Sequence, residues 1–390
     1  MTDNRRDVVI VGASGAGLLT GYLLARQGYR VGVYEQQRRY RPPRRTLIVT
    51  SSLRRVLPVD FSPAVLHATP WMTVATRRRE VTIELQEPDW ILERSRLLHL
   101  LLEKAQEAGC RVYFGHRFLG LERDRQRLLA RFQRPRRGDI TVEVGRALVG
   151  ADGVFSQVAV AAGLPRAPHI PIIQAEVSLP PGWDPRRTQV WFFPQDTRYF
   201  FWLIPEGEGR GVLGLMTDHG VHPHPPMKRF LERLSLKPHR FQGARVALYH
   251  PRLRAWKRLG PVDLFLVGDA AGQVKNTTVG GTVTGFWGAQ AVAQAIAQGV
   301  PFAKAARGLH RELLLHWWVR KALHGFSEAG YDALLRSLTP AVRQFLERRT
   351  RDEMAPALWK LVATTPALWA LAPHVLRSLV QPTPGPIFPP

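Results

Sequence analysis

The sequence predicts an α/β protein with a parallel-sheet domain at its start, an antiparallel-sheet region in its middle and a helical C-terminal part. Three observations carry this. Residues 8–34 read as strand, Gly-rich turn, helix and second strand, the crossover unit of a parallel sheet. Between residues 170 and 250 short β-rich runs are separated by Pro and Gly, as in an antiparallel sheet. After residue 300 the chain reads as helical to about residue 380.

The elements follow in order. Residues 8–11 are a β-branched run, residues 18–27 have helical spacing ended by Gly28, and residues 31–34 form a second strand. Residues 36–59 carry seven Arg and no acid, with Pro42 and Pro43, and read as an exposed or ligand-facing excursion. Residues 94–108 place Leu97, Leu98, Leu101 and Leu102 on one helix face, Gly109 stops it, and residues 110–114 return as a strand. Residues 118–148 alternate strand-like pieces with a basic loop at 134–138. The antiparallel region follows as runs at 172–178, 189–193, 199–204, 211–216 and 245–249. Residues 264–267 are a buried strand, and a helix of small residues spans about 282–297. Prolines crowd residues 381–390 too densely for compact folding. The resulting division is 1–165, with 45–90 as an excursion toward the second domain, then 166–260, 261–300, 301–380 and 381–390.

With 390 residues, 45% hydrophobic and 22% charged, the chain has the balance of a folded globular protein, which excludes intrinsic disorder. The net charge of +24 makes nucleic acid the first partner to consider. Only eight of the 55 basic residues are Lys, so an Arg-rich composition accounts for the charge as readily as a polyanionic ligand does. No zinc, RNP-like or helix-turn-helix signature accompanies it, so no specific nucleic acid is expected. The single cysteine, Cys110, excludes an internal disulfide and a Cys-rich metal site, and points to a reducing, cytoplasmic setting. Glycines punctuate the apolar residues 8–25, and Pro366 and Pro373 interrupt residues 361–373, so neither stretch reads as a membrane span. Leu and Trp interspersed with Arg after residue 300, including Trp317, Trp318, Trp359 and Trp369, suit either packed amphipathic helices or a surface lying on a membrane.

The first turn reads Gly12-Ala13-Ser14-Gly15-Ala16-Gly17. Gly12 and Gly17 hold the outer positions of G-x-G-x-x-G, and Ser14 replaces the middle glycine. A tight turn there aims backbone N–H groups and a helix N-terminus at a pyrophosphate, and Ser14 is tolerated if its φ stays negative. Glu35 ends the second strand, where a carboxylate accepts hydrogen bonds from a ribose diol and repels a 2′-phosphate. Two later turns, Gly150-Ala151-Asp152-Gly153 and Gly268-Asp269-Ala270-Ala271-Gly272, each put an Asp at a strand C-terminus. A dinucleotide is therefore expected, with NADP disfavoured.

Together these turns resemble the glutathione-reductase-like FAD proteins of the p-hydroxybenzoate-hydroxylase fold, over roughly residues 7–300. Within that superfamily, GDAAGQVKNTTVGGTVTG at 268–285 is similar to the geranylgeranyl reductase branch, with Asn276 in place of a Pro and Val279 in place of the first Gly of a triplet. The resemblance implies a Rossmann-like FAD-binding domain, an antiparallel-sheet substrate domain and a helical C-terminal region. It implies FAD contacts from Gly12, Ser14, Gly15, Ala16 and Gly17 at the pyrophosphate and Glu35 at the adenosine ribose. Asp152 and Arg94 are also implied at the cofactor, Asp269 at the ribityl hydroxyls, and Gly280 and Gly281 at the flavin pyrimidine. An aromatic signature of the family matches Phe200-Phe201-Trp202-Leu203-Ile204-Pro205, so Phe200, Trp202, Ile204 and Pro205 are expected at the substrate. Period-two alternation puts Phe200, Trp202 and Ile204 on one face, an apolar wall suited to an isoprenoid.

The implied activity is saturation of double bonds in a polyprenyl chain of a lipid, quinone or pigment precursor. The alternative is a flavin monooxygenase or halogenase, since halogenases carry a similar Trp-x-Trp-x-Ile-Pro. No second nucleotide fingerprint is visible, which leaves NAD(P)H or ferredoxin as electron donor. Some prenyl reductases have a Cys after the second strand; here Arg44-Arg45-Thr46-Leu47 stands there, and no catalytic residue is assigned. Water or Tyr199 is the proton donor to test. The arginines at 38, 39, 41, 44, 45, 54 and 55 are either a solvated loop or a site for an anionic head group. A basic collar resting on an anionic membrane is the corresponding partner surface.

Overall fold

The computed structural model describes residues 4–135, 138–179 and 181–380; the Pro-rich residues 381–390 and part of the basic loop at 134–138 lie outside the described residues. β1 (Arg5–Val11) leads into α1 (Gly15–Ala25) and β2 (Val31–Glu35). The excursion supplies β3 (Thr46–Val49), the short α2 (Leu53–Val56), β4 (Val65–Ala75) and β5 (Glu80–Glu93), and α3 (Arg94–Glu107) returns the chain to β6 (Arg111–Phe114). β7 (Arg117–Asp124), β8 (Arg127–Arg134) and β9 (Gly138–Gly150) form a meander before α4 (Gln157–Ala161). The middle region contains β10 (His169–Ser178), β11 (Arg187–Trp191), β12 (Phe201–Gly207), β13 (Arg210–Met216), α5 (His224–Arg233) and β14 (Pro238–Ala247). β15 (Trp256–Leu259), β16 (Val262–Leu266) and α6 (Thr282–Gln298) follow. The chain then continues through α7 (Phe302–Ala305), α8 (Arg307–His324), α9 (Glu328–Ser337), α10 (Pro340–Glu347), α11 (Ala355–Thr364), α12 (Pro366–Trp369) and α13 (Ala372–Val380).

The first sheet runs β15-β16-β9-β1-β2-β6, with the β7–β8 hairpin joined to β9. Its centre is parallel: Val8 pairs with Val31 and Ala147, and Val149 with Phe265. Alternation sorts its side chains. Val8 and Ile10 face a core made with α1, α3 and α6, including Leu18, Leu19, Leu101 and Phe286. Val9 and Val11 face the opposite core with Phe132, Leu148 and Leu264. Burying both faces is what makes these strands continuous apolar runs. Helix α1 starts earlier than its apolar spacing indicates, because Ser14 caps it: its Oγ accepts the Gly17 N–H at 3.2 Å.

The second sheet has the order β14-β10-β13-β12-β11-β4-β5-β3 and is antiparallel except for the β11–β4 pair. Three of its strands come from the excursion, so the Arg-rich segment crosses from the first sheet to complete the second. One sheet face packs Phe201, Leu203, Leu213 and Leu215 against Phe230 of α5. The other carries Phe200, Trp202, Ile204 and Met216. It looks toward the turns of the first sheet and the C-terminal helices, and the cavity lies between these layers.

Candidate functional site

The glycine turn takes the conformation its chemistry requires. Gly12 has φ +98°, and a Cβ there would sit 2.5 Å from the Ala151 carbonyl oxygen. A Cβ on Gly17 would lie 2.5 Å from the Gly12 carbonyl oxygen, so both glycines are demanded by close backbone packing of β1, α1 and β9. Ser14 has φ −71° and ψ 165°, an extended conformation open to any L-residue. The Gly15 and Ala16 amides, which have no intrahelical acceptors, therefore open onto the cavity lined by Ser14, Gly15 and Ala16. Glu35 is buried at the end of β2 and accepts the amides of Ala13 and Gln37, each at 2.9 Å. Each carboxylate oxygen keeps a further lone pair for a hydroxyl donor.

Across the cavity stand Arg94, opening α3, and Asp269, in the turn after β16. Burial pushes the Asp269 carboxyl above its usual range despite the opposing Arg94 charge and the Ala247 amide. Burial, together with the neighbouring Arg45, likewise depresses Arg94, and its Nη1 is buried without a hydrogen-bond partner. A buried guanidinium N–H with no acceptor leaves a strong donor free for a ligand. Of the seven excursion arginines, Arg45 alone lines the cavity, with Nη2 donating to the Gly243 carbonyl at 3.1 Å. The other six are exposed.

Gly280 and Gly281 lie before α6 in a loop closed by the Val279 amide on the Lys275 carbonyl at 2.7 Å. Beyond this loop the cavity wall becomes apolar, through Phe200, Trp202, Ile204 and Met216 and on to Leu361 and Val375 of the C-terminal helices. The volume is about 1220 Å³.

The sequence-predicted residues do not all meet there. Ser14, Gly15, Ala16, Arg94, Asp269, Gly280, Gly281, Phe200, Trp202 and Ile204 line one cavity. Gly12, Gly17 and Glu35 stand behind the turn. Asp152 caps α4, accepting Ser156 Oγ at 2.6 Å and the amides of Gln157 and Val158 at 2.7 and 3.1 Å, while its neighbours Ala151 and Gly153 face the cavity. Pro205 sits past the wall on β12. Tyr199 is buried off the cavity, its ring under the Arg320 guanidinium at 5.0 Å, and burial raises its hydroxyl pKa, so it is poorly placed as the proton donor considered above. Cys110 is a core residue beside Gly21, with its thiol pushed up to about 12 by burial.

Several site residues escaped the sequence reading. Gly214 is one: a Cβ there would overlap the Trp202 indole at 2.1 Å, so the glycine makes room for the aromatic wall. A buried polar cluster at the cavity edge is another: Lys275 donates to Asp352, Thr50 Oγ1 donates to Asp352 at 2.6 Å, and Arg351 pairs with Asp89 at 2.7 Å. The acidic residues come from sequence-distant elements, and no local motif joins them.

A family model described as FAD binding domain matches residues 5–300. The chain belongs to this FAD-binding family. It is an FAD-dependent oxidoreductase with the p-hydroxybenzoate-hydroxylase type of α/β fold. Digeranylgeranylglycerophospholipid reductase 2 of Methanothermobacter thermautotrophicus is 28% identical to the flavoprotein over 380 residues, covering 85% of this chain and 91% of the relative. A solved geranylgeranyl bacteriochlorophyll reductase-like protein from Thermoplasma acidophilum superposes with a TM-score of 0.80 at 19% identity, over 95% of this chain and 99% of that one. A flavin-dependent brominase gives 0.66 at 17% identity, over 92% and 98%. The resemblance to the geranylgeranyl reductase branch thus extends from the motifs to most of the chain. The unpartnered Arg94 donor, the open amides of α1 and the buried Asp269 form a donor and acceptor set that fits FAD. Among the described residues no helix is long and apolar enough to cross a membrane.

Proposed function

We propose that this oxidoreductase saturates carbon–carbon double bonds of a geranylgeranyl-type polyprenyl chain in a lipid, quinone or pigment precursor. The cavity carries the reading. At about 1220 Å³ it exceeds the roughly 300–1,000 Å³ of an ordinary small-molecule pocket, leaving room for a long chain beside a flavin ring. An isoprenoid has no polar handle along its length, and the walls from Trp202 to Val375 are predominantly apolar. The relative that reduces digeranylgeranylglycerophospholipids points the same way.

In this reading Gly12, Ser14, Gly15, Ala16 and Gly17 bring backbone to the pyrophosphate, and Glu35 receives the adenosine ribose. Arg94 donates its free N–H to the cofactor, Asp269 accepts from the ribityl chain, and Gly280 and Gly281 present amides to the pyrimidine. Asp152 and Pro205 act from behind, through the backbone of Ala151 and Gly153 and through Ile204. Phe200, Trp202 and Ile204 hold the alkene against the flavin and exclude water. When bound and reduced by an external donor, FAD supplies a hydride equivalent. The substrate enters from a membrane surface touched by α12 and α13, where Trp369 and Leu376 are 56% and 62% exposed.

Anaerobic mixing of the dithionite-reduced protein with geranylgeranyl lipids tests the function. Flavin reoxidation with a saturated product is expected. No reoxidation, combined with oxygen-dependent hydroxylation or halogenation, would replace the reading with the monooxygenase or halogenase chemistry of the other fold neighbours.

A further inference from the structure

Saturating an alkene by hydride requires a proton at the second carbon, and the cavity wall holds a set of groups arranged to deliver one. Thr277, in the loop before Gly280, lines the cavity, and its hydroxyl is hydrogen-bonded to Nδ1 of His316 on α8. His316 also borders the cavity, yet is only 6% exposed. Its Nε2 has two acceptors, the Arg351 carbonyl at 3.1 Å and Glu312 Oε1 at 3.3 Å. Two acceptors at Nε2 fix the proton-bearing nitrogen there, so Nδ1 is the atom that exchanges a proton with Thr277.

Glu312 lies one helical turn before His316 and is anchored by the amides of Met354 and Ala355, at 2.7 and 2.8 Å, at the start of α11. Burial opposes its ionisation, but the His316 hydrogen bond and these two amides outweigh it and hold the carboxyl below its usual range. Of the charged groups nearby, Lys275 pairs with Asp352 and Arg351 with Asp89, while Arg320, one turn further along α8, bonds the Arg198 carbonyl and the Tyr331 hydroxyl. Glu312 is left facing the imidazole.

We infer that Glu312, His316 and Thr277 form a carboxylate–imidazole–hydroxyl relay that protonates the substrate. This rests on the reductase reading above. As hydride from reduced flavin forms one C–H bond, the π bond breaks and the second carbon takes the Thr277 hydroxyl proton. Thr277 takes the Nδ1 proton of the imidazolium in the same step. One hydride and one proton are added, the flavin is left oxidised, and neutral His316 regains its proton from water. Thr277 is the catalytic residue; His316 and Glu312 act through it.

The test compares wild type, Thr277→Val, Thr277→Ser and His316→Gln as FAD-loaded proteins, reduced anaerobically and mixed with a digeranylgeranyl glycerol lipid. In wild type and Thr277→Ser, reoxidation should slow with rising pH and should show a solvent deuterium isotope effect. Thr277→Val and His316→Gln should lose about 100-fold or more in reoxidation rate, the scale of a general acid, and the pH dependence with it. Bound FAD content should stay within twofold. In resting oxidised protein, ¹⁵N-histidine NMR should show the signal lost in His316→Gln as the Nε2–H tautomer, with its Nδ1 shift moved by Thr277→Val. Thr277→Val reoxidising within threefold of an active wild type, or an unmoved Nδ1 shift, overturns the relay alone. A wild type that is not reoxidised overturns the reductase reading, and the relay falls with it.

Discussion

The side-chain amide of Asn276 is hydrogen-bonded twice to the main chain of Tyr249: Oδ1 accepts the Tyr249 N–H at 2.9 Å and Nδ2 donates to its carbonyl at 3.0 Å. Where the related motif has Pro, this chain ties the loop before Gly280 to the segment after β14. Asn276→Ala should cost about 2–3 kcal/mol in denaturant unfolding, because both buried main-chain groups lose their partner. Asn276→Leu, close in volume but without the amide, should lose a similar amount. Full stability in the Leu variant would mean that packing, and not the paired bonds, holds the loop.

Val279, the second departure from the motif, has φ +53°. A β-branched residue in the left-handed region is strained, and its side chain stays there because it packs beside the aromatic wall. Val279→Gly and Val279→Ala remove nearly the same contacts but differ in backbone cost. The Gly variant should be more stable than the Ala variant by about 1 kcal/mol, as measured by thermal or denaturant unfolding. Equal stabilities would place the strain elsewhere.

What was legible in the sequence was what the backbone imposes locally. Gly12 and Gly17 announce a turn because its close backbone packing requires them, and alternation put Phe200, Trp202 and Ile204 on one face without knowledge of the partner strands. The need for Gly214 was hidden, since it arises only when β12 and β13 pair Trp202 with it. The grouping of Thr277, Glu312, His316 and Asp352 was hidden for a similar reason: periodicity marks helices α8 and α11 but not the loop against which they close. Tyr199 was a reasonable proton donor by composition, yet it lies off the cavity because it precedes β12 and turns toward Arg320.

Arg94 Nη1 is buried without a partner, and the proposed reading gives that donor to the cofactor. Arg94→Met keeps much of the stem and removes the donor. The FAD dissociation constant, by fluorescence titration of the apo-protein, should rise about 10- to 100-fold, the loss of one charge-assisted hydrogen bond. Stability without FAD should be maintained or increased, because a desolvated charge is gone. Unchanged affinity would remove Arg94 from the cofactor site.

Asp352 holds Lys275 and Thr50 against the C-terminal helices. Burial alone would raise its carboxyl pKa, but the Lys275 charge and hydrogen bond, with the Thr50 hydrogen bond and the Arg351 charge, more than reverse that and leave it below the ordinary value. A folded-state pKa below the unfolded one contributes stability that is present above about pH 4 and is lost as pH falls through the folded value. Asp352→Asn should cost about 3–5 kcal/mol at pH 7, since it strands a buried ammonium, and should flatten the acid limb of the stability curve. An unchanged acid limb would assign the pH dependence to other carboxyls.

Trp369 and Leu376, the exposed apolar side chains of α12 and α13, line the same cavity as Leu368 and Val375, so in the proposed reading these helices border solvent and the substrate path at once. Leaving a Trp and a Leu in water costs apolar contact that a bilayer interface would restore, and Arg377 on α13 would add attraction to anionic lipid. Trp369→Ser with Leu376→Ser should therefore reduce recovery with anionic vesicles in flotation several-fold. Equal recovery of variant and wild type, or equal binding to neutral and anionic vesicles, would separate the +24 charge and the apolar surface from any role in substrate access.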